Sequence, residues 1–186
     1  MSTDTTNAVS PAIAQGTWNV DPSHSSVEFQ VKHMGLATVK GFFSEFEGKL
    51  EVAEDGTISA SGTVDAASLS TRNDQRDEHL RSADFFDVEN YPKLSFQSTS
   101  IEQLDEETYR ITGDLTIRGT TREVVFEGVT QGVDQDPWGN TRVGLEVVGQ
   151  IERSEFGLSW NQALESGGVL VGKKVKILLD LSTVKA

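Results

Sequence analysis

Apolar residues recur at every second position through most of this sequence, and that period of two constrains the fold more than any other feature. In residues 26–33, for example, Val27, Phe29 and Val31 alternate with polar or charged residues. Successive side chains of a strand point to opposite faces of a sheet, so the pattern is typical of a strand with one buried and one solvated face. The chain is therefore expected to consist mainly of half-buried antiparallel strands.

Eight stretches of the chain show this alternation. They are residues 26–33, 43–52, 58–64, 94–96, 109–117, 124–126, 143–151 and 175–181. Turn-forming residues separate several of them, as at Glu54-Asp55-Gly56, so consecutive strands are expected to form hairpins. Eight antiparallel strands close into a barrel whose interior either fills with side chains or holds one small ligand. We predict an all-β fold, an eight-stranded antiparallel barrel, with a two-sheet sandwich as the alternative.

One short helical insertion is predicted, in the long connection between strands 3 and 4. Asn73 is a preferred N-cap residue, and the residues from Asp74 to about Leu80 suit a short helix. Ser82 is placed to begin a further turn through Phe86. A second long connection, residues 153–172, shows no clear period, so no particular structure is predicted for it.

Four glycines lie at positions that should face the barrel interior. Gly62, Gly113, Gly128 and Gly149 are in phase with the apolar side chains of their strands, where Val or Ile would otherwise be favoured. A wall of bare backbone leaves room inside a barrel, which favours a cavity for a long apolar guest. The alternative is that these glycines serve sharp bends at the barrel corners.

The charge and composition of the chain exclude several classes of partner and chemistry. Its 186 residues include 29 acidic and 16 basic side chains, for a net charge of −13. Nucleic-acid phosphates need a basic surface, so no nucleic acid is expected as a partner. The chain has no cysteine, which excludes disulfides, thiol nucleophiles and thiolate metal sites. No apolar run reaches the roughly 18 residues of a spanning helix, so no stable membrane insertion is expected.

The first sixteen residues are polar and carry no Lys or Arg. They lack the charged start and the apolar middle of a secretory signal, so a cytoplasmic location is expected. Residues 1–16 are predicted to form a disordered tail. Residues 17–186 are predicted to form one barrel domain, because their number suits a single core.

Three polar residues are candidates for the mouth of a cavity. Arg76 and His79 lie on one face of the predicted helix, and His24 lies in a turn before the first long strand. His79 or His24 has the chemistry of a general acid or base, whereas ion pairs that anchor the helix are the plainer role for its charges. The spacing of the histidines matches no metal-binding pattern, so no metal and no cofactor are expected.

Several short motifs follow one another along the chain between about Trp18 and Val184. They include Asp21-Pro22-Ser23-His24-Ser25, His33-Met34-Gly35-Leu36, Arg76-Asp77-Glu78-His79-Leu80, Gly113-Asp114-Leu115-Thr116-Ile117-Arg118-Gly119, and Arg153 with Phe156-Gly157-Leu158. In order and spacing they resemble the YceI-like family of polyisoprenoid-binding, lipocalin-like proteins. The resemblance implies an eight-stranded barrel with a helical insertion and an elongated apolar tunnel. It also implies binding of an isoprenoid chain, such as a quinone tail or a polyprenyl lipid, and a homodimer.

Strand phase then assigns the wall of that tunnel. The chosen positions face inward and are apolar, and four aromatic residues are added from the two long connections, which are able to close a barrel end. The predicted lining is Phe29, Val31, Phe46, Phe96, Ile111, Leu115, Ile117, Phe126 and Leu145, with Phe85, Phe86, Phe156 and Trp160 from the connections. Ordinary core packing is the alternative role for each of them.

The first functional hypothesis is a non-enzymatic protein that binds, stores or transports a long isoprenoid lipid. At about 0.8 kcal/mol per buried CH₂, a tail of about ten carbons gains roughly 8 kcal/mol, which the cost of association can cancel. A tail of about twenty carbons gains roughly 16 kcal/mol. The acidic chain favours a neutral head group such as a quinone over a diphosphate.

Two alternative functions stay open. One is an acid–base enzyme that acts on a lipid or a small carbonyl substrate through His79 or His24. The other is a protein-interaction module with a solid barrel, for which the outward-facing pair Val125 and Val129 is the only indication.

Overall fold

Antiparallel strands make up most of the computed structural model, which describes residues 13–186. In this range the chain forms eleven strands and one α-helix. The strands are β1 (Gly16–Val20), β2 (Ser26–His33), β3 (Ala37–Phe43), β4 (Phe46–Val52), β5 (Ile58–Asp65), β6 (Leu69–Ser70), β7 (Lys93–Gln103), β8 (Thr108–Ile117), β9 (Thr120–Gln135), β10 (Thr141–Glu152) and β11 (Val171–Lys185), and the helix is α1 (Asp74–Arg81).

The sheet closes into a barrel because β11 pairs with strands from both ends of the chain. Along one edge β11 is bonded to β10, and along the other to β2 and then to β1. β1 and β2 together cross the barrel once, and we call each such crossing a leg. β3 and β4 run back beside them as the second leg. Counted by legs, the described residues form a closed eight-stranded antiparallel barrel with one helix.

The predicted all-β barrel is confirmed, whereas the predicted place of the helix, between strands 3 and 4, is wrong. Helix α1 follows β6, the sixth strand of the chain. The difference arises because the first three legs are interrupted, by a 3₁₀ turn at Pro22–His24, by residues 44–45 and by a 3₁₀ turn at Ala66–Ser68. Proline has no amide hydrogen to donate to a neighbouring strand, which accounts for the first interruption.

Helix α1 begins where its cap residue predicts. The side-chain oxygen of Asn73 accepts the backbone N–H of Arg76 at 3.0 Å. Ser82, predicted to begin a further turn, instead closes the helix, because its hydroxyl donates to the carbonyl oxygen of His79 at 2.6 Å. The buried carboxylate of Asp77 accepts a backbone N–H from the segment after β6 at 2.8 Å. The first two contacts cap the helix, and the third fastens it to the segment after β6.

The packed chain begins earlier than the predicted domain start. Residues 1–12 of the predicted tail lie outside the described residues. Ile13 is only 3% exposed and packs with Trp18, Val52, Val143 and Leu145. Ile13 therefore belongs to the barrel core, and burying an Ile side chain contributes about 1.5–3 kcal/mol to the free energy of folding.

The two ends of the barrel are covered by different segments. What we call the helix end carries α1, the turn between β2 and β3 (residues 34–36) and the connection of residues 153–170. What we call the terminal end carries Ile13, the turn of residues 136–140 between β9 and β10, and the last residues of β11. The interior between these two ends contains the candidate site.

Candidate ligand-binding tunnel

A cavity of about 460 Å³ extends through the barrel interior. Its wall includes Ile13 and Ile58 towards the terminal end, and Arg76, Leu170 and Val171 at the helix end. Ligand sites in proteins usually measure about 300–1,000 Å³, so the interior has room for a guest. The solid barrel of the third hypothesis is therefore wrong.

Apolar side chains form most of the cavity wall, and they come from strands all around the barrel. The structure places all thirteen predicted lining residues on this wall: Phe29, Val31, Phe46, Phe85, Phe86, Phe96, Ile111, Leu115, Ile117, Phe126, Leu145, Phe156 and Trp160. Their contact with a ligand stays a prediction. An elongated space walled in this way solvates an aliphatic chain and offers little to a polar molecule.

Part of the wall was missed in the sequence-based prediction. Ile177, Leu179 and Leu181 of β11 also border the cavity. Their alternation in the sequence is as regular as that of the predicted residues, so strand phase could have found them. Ile13 also borders the cavity, but it stands in a polar stretch without any period, and no sequence signal indicated it.

Two of the four inward glycines border the cavity, as predicted. A Cβ atom on Gly62 would lie 3.1 Å from the carbonyl oxygen of Glu47, and one on Gly128 would lie 3.0 Å from the side chain of Ile111. The missing side chains at Gly62 and Gly128 therefore widen the cavity and allow close packing of the neighbouring strands.

The other two glycines make room for aromatic rings. A Cβ on Gly113 would lie 2.5 Å from the ring of Phe96, and a Cβ on Gly149 would overlap the ring of Phe126. The centroids of these two rings are 5.7 Å apart. Gly113 and Gly149 thus let large rings lie flat against the barrel wall, and the space beside these glycines is filled by protein atoms.

Aromatic side chains from both long connections pack together at the helix end. Phe85 and Trp160 have ring centroids 5.5 Å apart, and His79 lies against both, at 5.1 and 4.7 Å. Phe86 packs separately against Phe29 of β2, with ring centroids 6.2 Å apart. The two connections therefore meet over the end of the cavity.

Two of the three predicted polar residues border the cavity, and both have partners within the protein. His79 Nε2 lies 2.9 Å from a carboxylate oxygen of Asp84. Arg76 donates from Nε to the hydroxyl of Thr71 at 2.7 Å and from a terminal nitrogen to the Thr71 carbonyl at 2.8 Å. The polar part of the wall is thus held in place by contacts of the helix with the segments before and after it.

His24 does not border the cavity, which corrects its predicted place at the mouth. The 3₁₀ turn after β1 carries His24 to the outer surface, where its side chain is 68% exposed and 2.8 Å from Asp21. Hydrogen bonds from Ser23, His24 and Arg142 hold the pKa of the Asp21 carboxyl well below its usual range. The cluster fastens the turn to β10 and has a structural role.

A buried guanidinium fastens the second long connection at the helix end. Arg153 is 6% exposed and donates to the carbonyl oxygens of Leu158, Trp160, Val171 and Gly172 at 2.7–3.2 Å. Burial lowers its pKa, yet an arginine side chain stays charged in proteins. Two of these carbonyl groups belong to the connection and two to the start of β11, so Arg153 joins the connection to that strand.

Neither a metal cluster nor a membrane-spanning helix is found between residues 13 and 186. No three His, Asp or Glu side chains of this range lie close enough together to hold a metal ion. Its helices are too short or too polar to cross a bilayer.

Known proteins are similar to this chain in sequence. Residues 18–183 match the family model described as the YceI-like domain. The chain belongs to the YceI-like family. A UPF0312 protein of Staphylococcus aureus is 40% identical over 159 residues, which cover 84% of this chain and 90% of the relative. The resemblance drawn from the short motifs is confirmed.

Solved structures of similar proteins share the fold of this YceI-like chain. Burkholderia cenocepacia BcnA superposes with a TM-score of 0.74 at 25% identity, over 88% of this chain and 98% of that one. The Campylobacter jejuni YceI protein gives 0.68 at 25% identity, over 83% and 90%. A polyisoprenoid-binding domain from Saccharophagus degradans, implicated in plant cell wall breakdown, gives 0.70 at 13% identity, over 91% and 98%. At 13% identity the likeness concerns the fold alone.

Proposed function

We propose that this YceI-like protein binds a long isoprenoid lipid inside its barrel and stores or transports it without chemical change. The observation that carries the proposal is the cavity of about 460 Å³ with its largely apolar wall. The Saccharophagus degradans domain, which has the same fold and is named for polyisoprenoid binding, supports the ligand class.

The shape of the cavity favours a linear guest. On β11 alone the wall extends from Val171 to Leu181. At about 3.3 Å per residue and a strand tilt of about 40°, that span corresponds to roughly 25 Å along the barrel axis. A chain of about twenty carbons buried in this space gains roughly 16 kcal/mol, which exceeds a midrange cost of association. Shorter chains leave part of the wall without contacts and bind more weakly.

A neutral head group such as a quinone suits the interior better than a diphosphate. The two guanidinium groups on the wall, Arg76 and Arg153, direct N–H donors to oxygen atoms of the protein. A buried diphosphate needs several charge-assisted donors of its own, because desolvating its charges is costly. We therefore propose an uncharged or weakly polar head.

Binding measurements with quinones of increasing tail length test the proposal. We expect the affinity of the lipid-free protein, followed by quenching of tryptophan fluorescence, to rise steeply with the number of isoprene units until the tunnel is filled. Ala60→Trp places a large ring in the cavity, since Ala60 borders it on β5, and should weaken binding of long tails at least tenfold. Ser59→Trp on the same strand, outside the cavity wall, is the matched control. Affinity that does not change with tail length, or equal binding by Ala60→Trp and Ser59→Trp, contradicts the proposal.

An acid–base enzyme is the second candidate, because one observation favours it. His79 lies on the cavity wall 2.9 Å from the carboxylate of Asp84, an arrangement that orients an imidazole for proton transfer. If the protein converts a bound quinone or carbonyl lipid, His79→Gln should abolish turnover and leave uptake of the lipid unchanged. Uptake without any conversion by the wild-type protein supports the carrier.

We further propose a homodimer located in the cytoplasm. The family resemblance supports the dimer, and the location is the one expected from the sequence. Light scattering on the purified chain measures the molar mass, and fractionation of cells of the source organism measures the location. A monomeric mass, or recovery outside the cytoplasmic fraction, contradicts the respective proposal.

A further inference from the structure

Exposed apolar side chains project from the helix end of the barrel. In the turn between β2 and β3, Leu36 is 82% exposed and Met34 is 44% exposed, and Val169 in the facing connection is 44% exposed. The backbone N–H of Met34 donates to the carbonyl oxygen of Leu170 at 2.8 Å, so the turn and the connection stand side by side. We call Met34, Leu36 and Val169 the apolar tip.

The apolar tip adjoins the cavity. Lys32 and His33, immediately before the turn, lie on the cavity wall. Leu170 and Val171, immediately after Val169, lie on it as well. An apolar chain that leaves the cavity at this end therefore passes next to the tip.

Basic residues lie on the strands that lead away from the apolar tip, although the whole chain has a net charge of −13. Residues 29–44 and 166–179 belong largely to β2, β3 and β11, which pair with one another, and they contain no acidic residue. Their five lysines are all exposed: Lys32, Lys40, Lys173, Lys174 and Lys176. Glu152 lies opposite Lys174 on β10, and Glu165 lies in the connection. The strongly negative charge of the chain is thus carried by its other parts, which include Asp74, Asp77 and Glu78 of α1 at the same end of the barrel.

We propose that the helix end of the barrel docks on an anionic lipid bilayer, with the apolar tip among the head groups and the lysines against the lipid phosphates. Apolar side chains within a basic surface are the combination that binds peripheral proteins to anionic membranes. The acidic parts of the chain, α1 with Asp74 and Glu78 among them, are repelled by such a membrane, so the contact is confined to the apolar tip and the strands that carry the lysines. A second copy of the chain on the same surface would bring the same lysines together, which disfavours self-association there.

This docking concerns the surface beside the tunnel and does not depend on which lipid occupies the interior. It places the cavity end next to the bilayer, where an isoprenoid lipid can pass between the bilayer and the tunnel with little exposure to water. The contact is peripheral and reversible, since it involves a turn and a connection.

Flotation of the full chain with lipid vesicles tests the docking. We expect binding to vesicles that contain phosphatidylglycerol and little binding to pure phosphatidylcholine. Raised salt should weaken it, because the Debye length falls from about 10 Å at 0.1 M to about 3 Å at 1 M. Leu36→Asp should reduce binding at least tenfold. Lys173→Gln with Lys174→Gln should reduce it about fivefold per lysine.

Matched controls come from residues outside this surface. Trp138→Asp changes an 81% exposed side chain at the terminal end, and Lys49→Gln removes an exposed lysine on β4. Both should bind anionic vesicles as the wild-type protein does. If Trp138→Asp abolishes vesicle binding and Leu36→Asp does not, the docking surface is wrong.

Three further outcomes distinguish membrane docking from self-association and from a loss of the tunnel. Wild-type protein that binds no vesicles, or binds neutral and anionic vesicles equally, overturns the proposal. A dimer in sedimentation that Leu36→Asp dissociates, together with no vesicle binding, assigns the tip to a second copy and also overturns it. Quinone binding is measured on the same variants without vesicles. Leu36→Asp should keep its quinone affinity, so failure of docking with intact quinone binding refutes the docking alone.

Discussion

Replacing Gly149 by alanine should destabilise the barrel by about 1–2 kcal/mol and narrow the tunnel. The new Cβ would overlap the ring of Phe126, which lies against the bare backbone of β10. Phe126 is buried and borders the tunnel, with Phe96 beside it at 5.7 Å, so the ring has to turn towards the tunnel. Overpacking of a filled core costs about 1–3 kcal/mol. The lower entropy of the unfolded alanine chain offsets about 0.4–1 kcal/mol of this loss.

The variant Phe126→Leu provides the comparison that isolates this clash. Leucine lacks the ring atoms that the new Cβ would overlap, so the double variant should show a favourable coupling of about 1 kcal/mol or more. Urea denaturation followed by tryptophan fluorescence measures the free energies of unfolding. Gly144→Ala on the same strand is the control, because its Cβ would meet only the flexible side chain of Gln131, at 3.2 Å. Strict additivity of the two substitutions, or a fully stable Gly149→Ala variant, would rule out a clash between Cβ and ring.

Two further predictions concern polar contacts that stabilise the fold. Arg153→Leu should lower the free energy of unfolding by about 3 kcal/mol or more, because it leaves four carbonyl groups without their donor. Arg118→Leu, which removes one exposed hydrogen bond, is the control, and an equal loss in both variants would contradict the prediction. The second prediction concerns acid stability. Burial raises the pKa of the Asp136 carboxyl, but hydrogen bonds from Arg142 and from the turn of residues 136–140 outweigh this effect and lower the pKa to about 2. A carboxyl with a pKa below its value of about 4 in the unfolded chain stabilises the fold above about pH 4, and the contribution disappears as the pH falls through 2. Urea denaturation at several pH values should show that loss, and Arg142→Gln should reduce it; an unchanged acid profile in Arg142→Gln would count against this assignment.

The direction of side chains could be predicted from the sequence because it alternates strictly along a strand. Phe29, Ile111 and Leu145 come from three separate strands, yet the same simple phase places all of them on the wall of one cavity. The helix start was equally accessible, since the cap at Asn73 depends only on neighbouring residues.

Features that depend on distant parts of the chain could not be predicted in this way. The pairing of β1 with β11 closes the barrel, but it joins the two ends of the chain and leaves no local pattern. Ile13 is buried only because other strands surround it. The same limit applies to Gly113 and Gly149: phase locates them on the inner face, whereas the rings that cover them belong to neighbouring strands.

Native mass spectrometry of the full chain, purified without detergent, tests most directly whether the tunnel holds an isoprenoid lipid. We expect a species heavier than the chain by one long isoprenoid lipid, which organic solvent extracts and which fragments in five-carbon steps. We also expect Ala60→Trp to retain much less of this lipid than Ser59→Trp. A wild-type protein that is isolated without lipid and takes up no isoprenoid from added vesicles would contradict lipid binding in the tunnel.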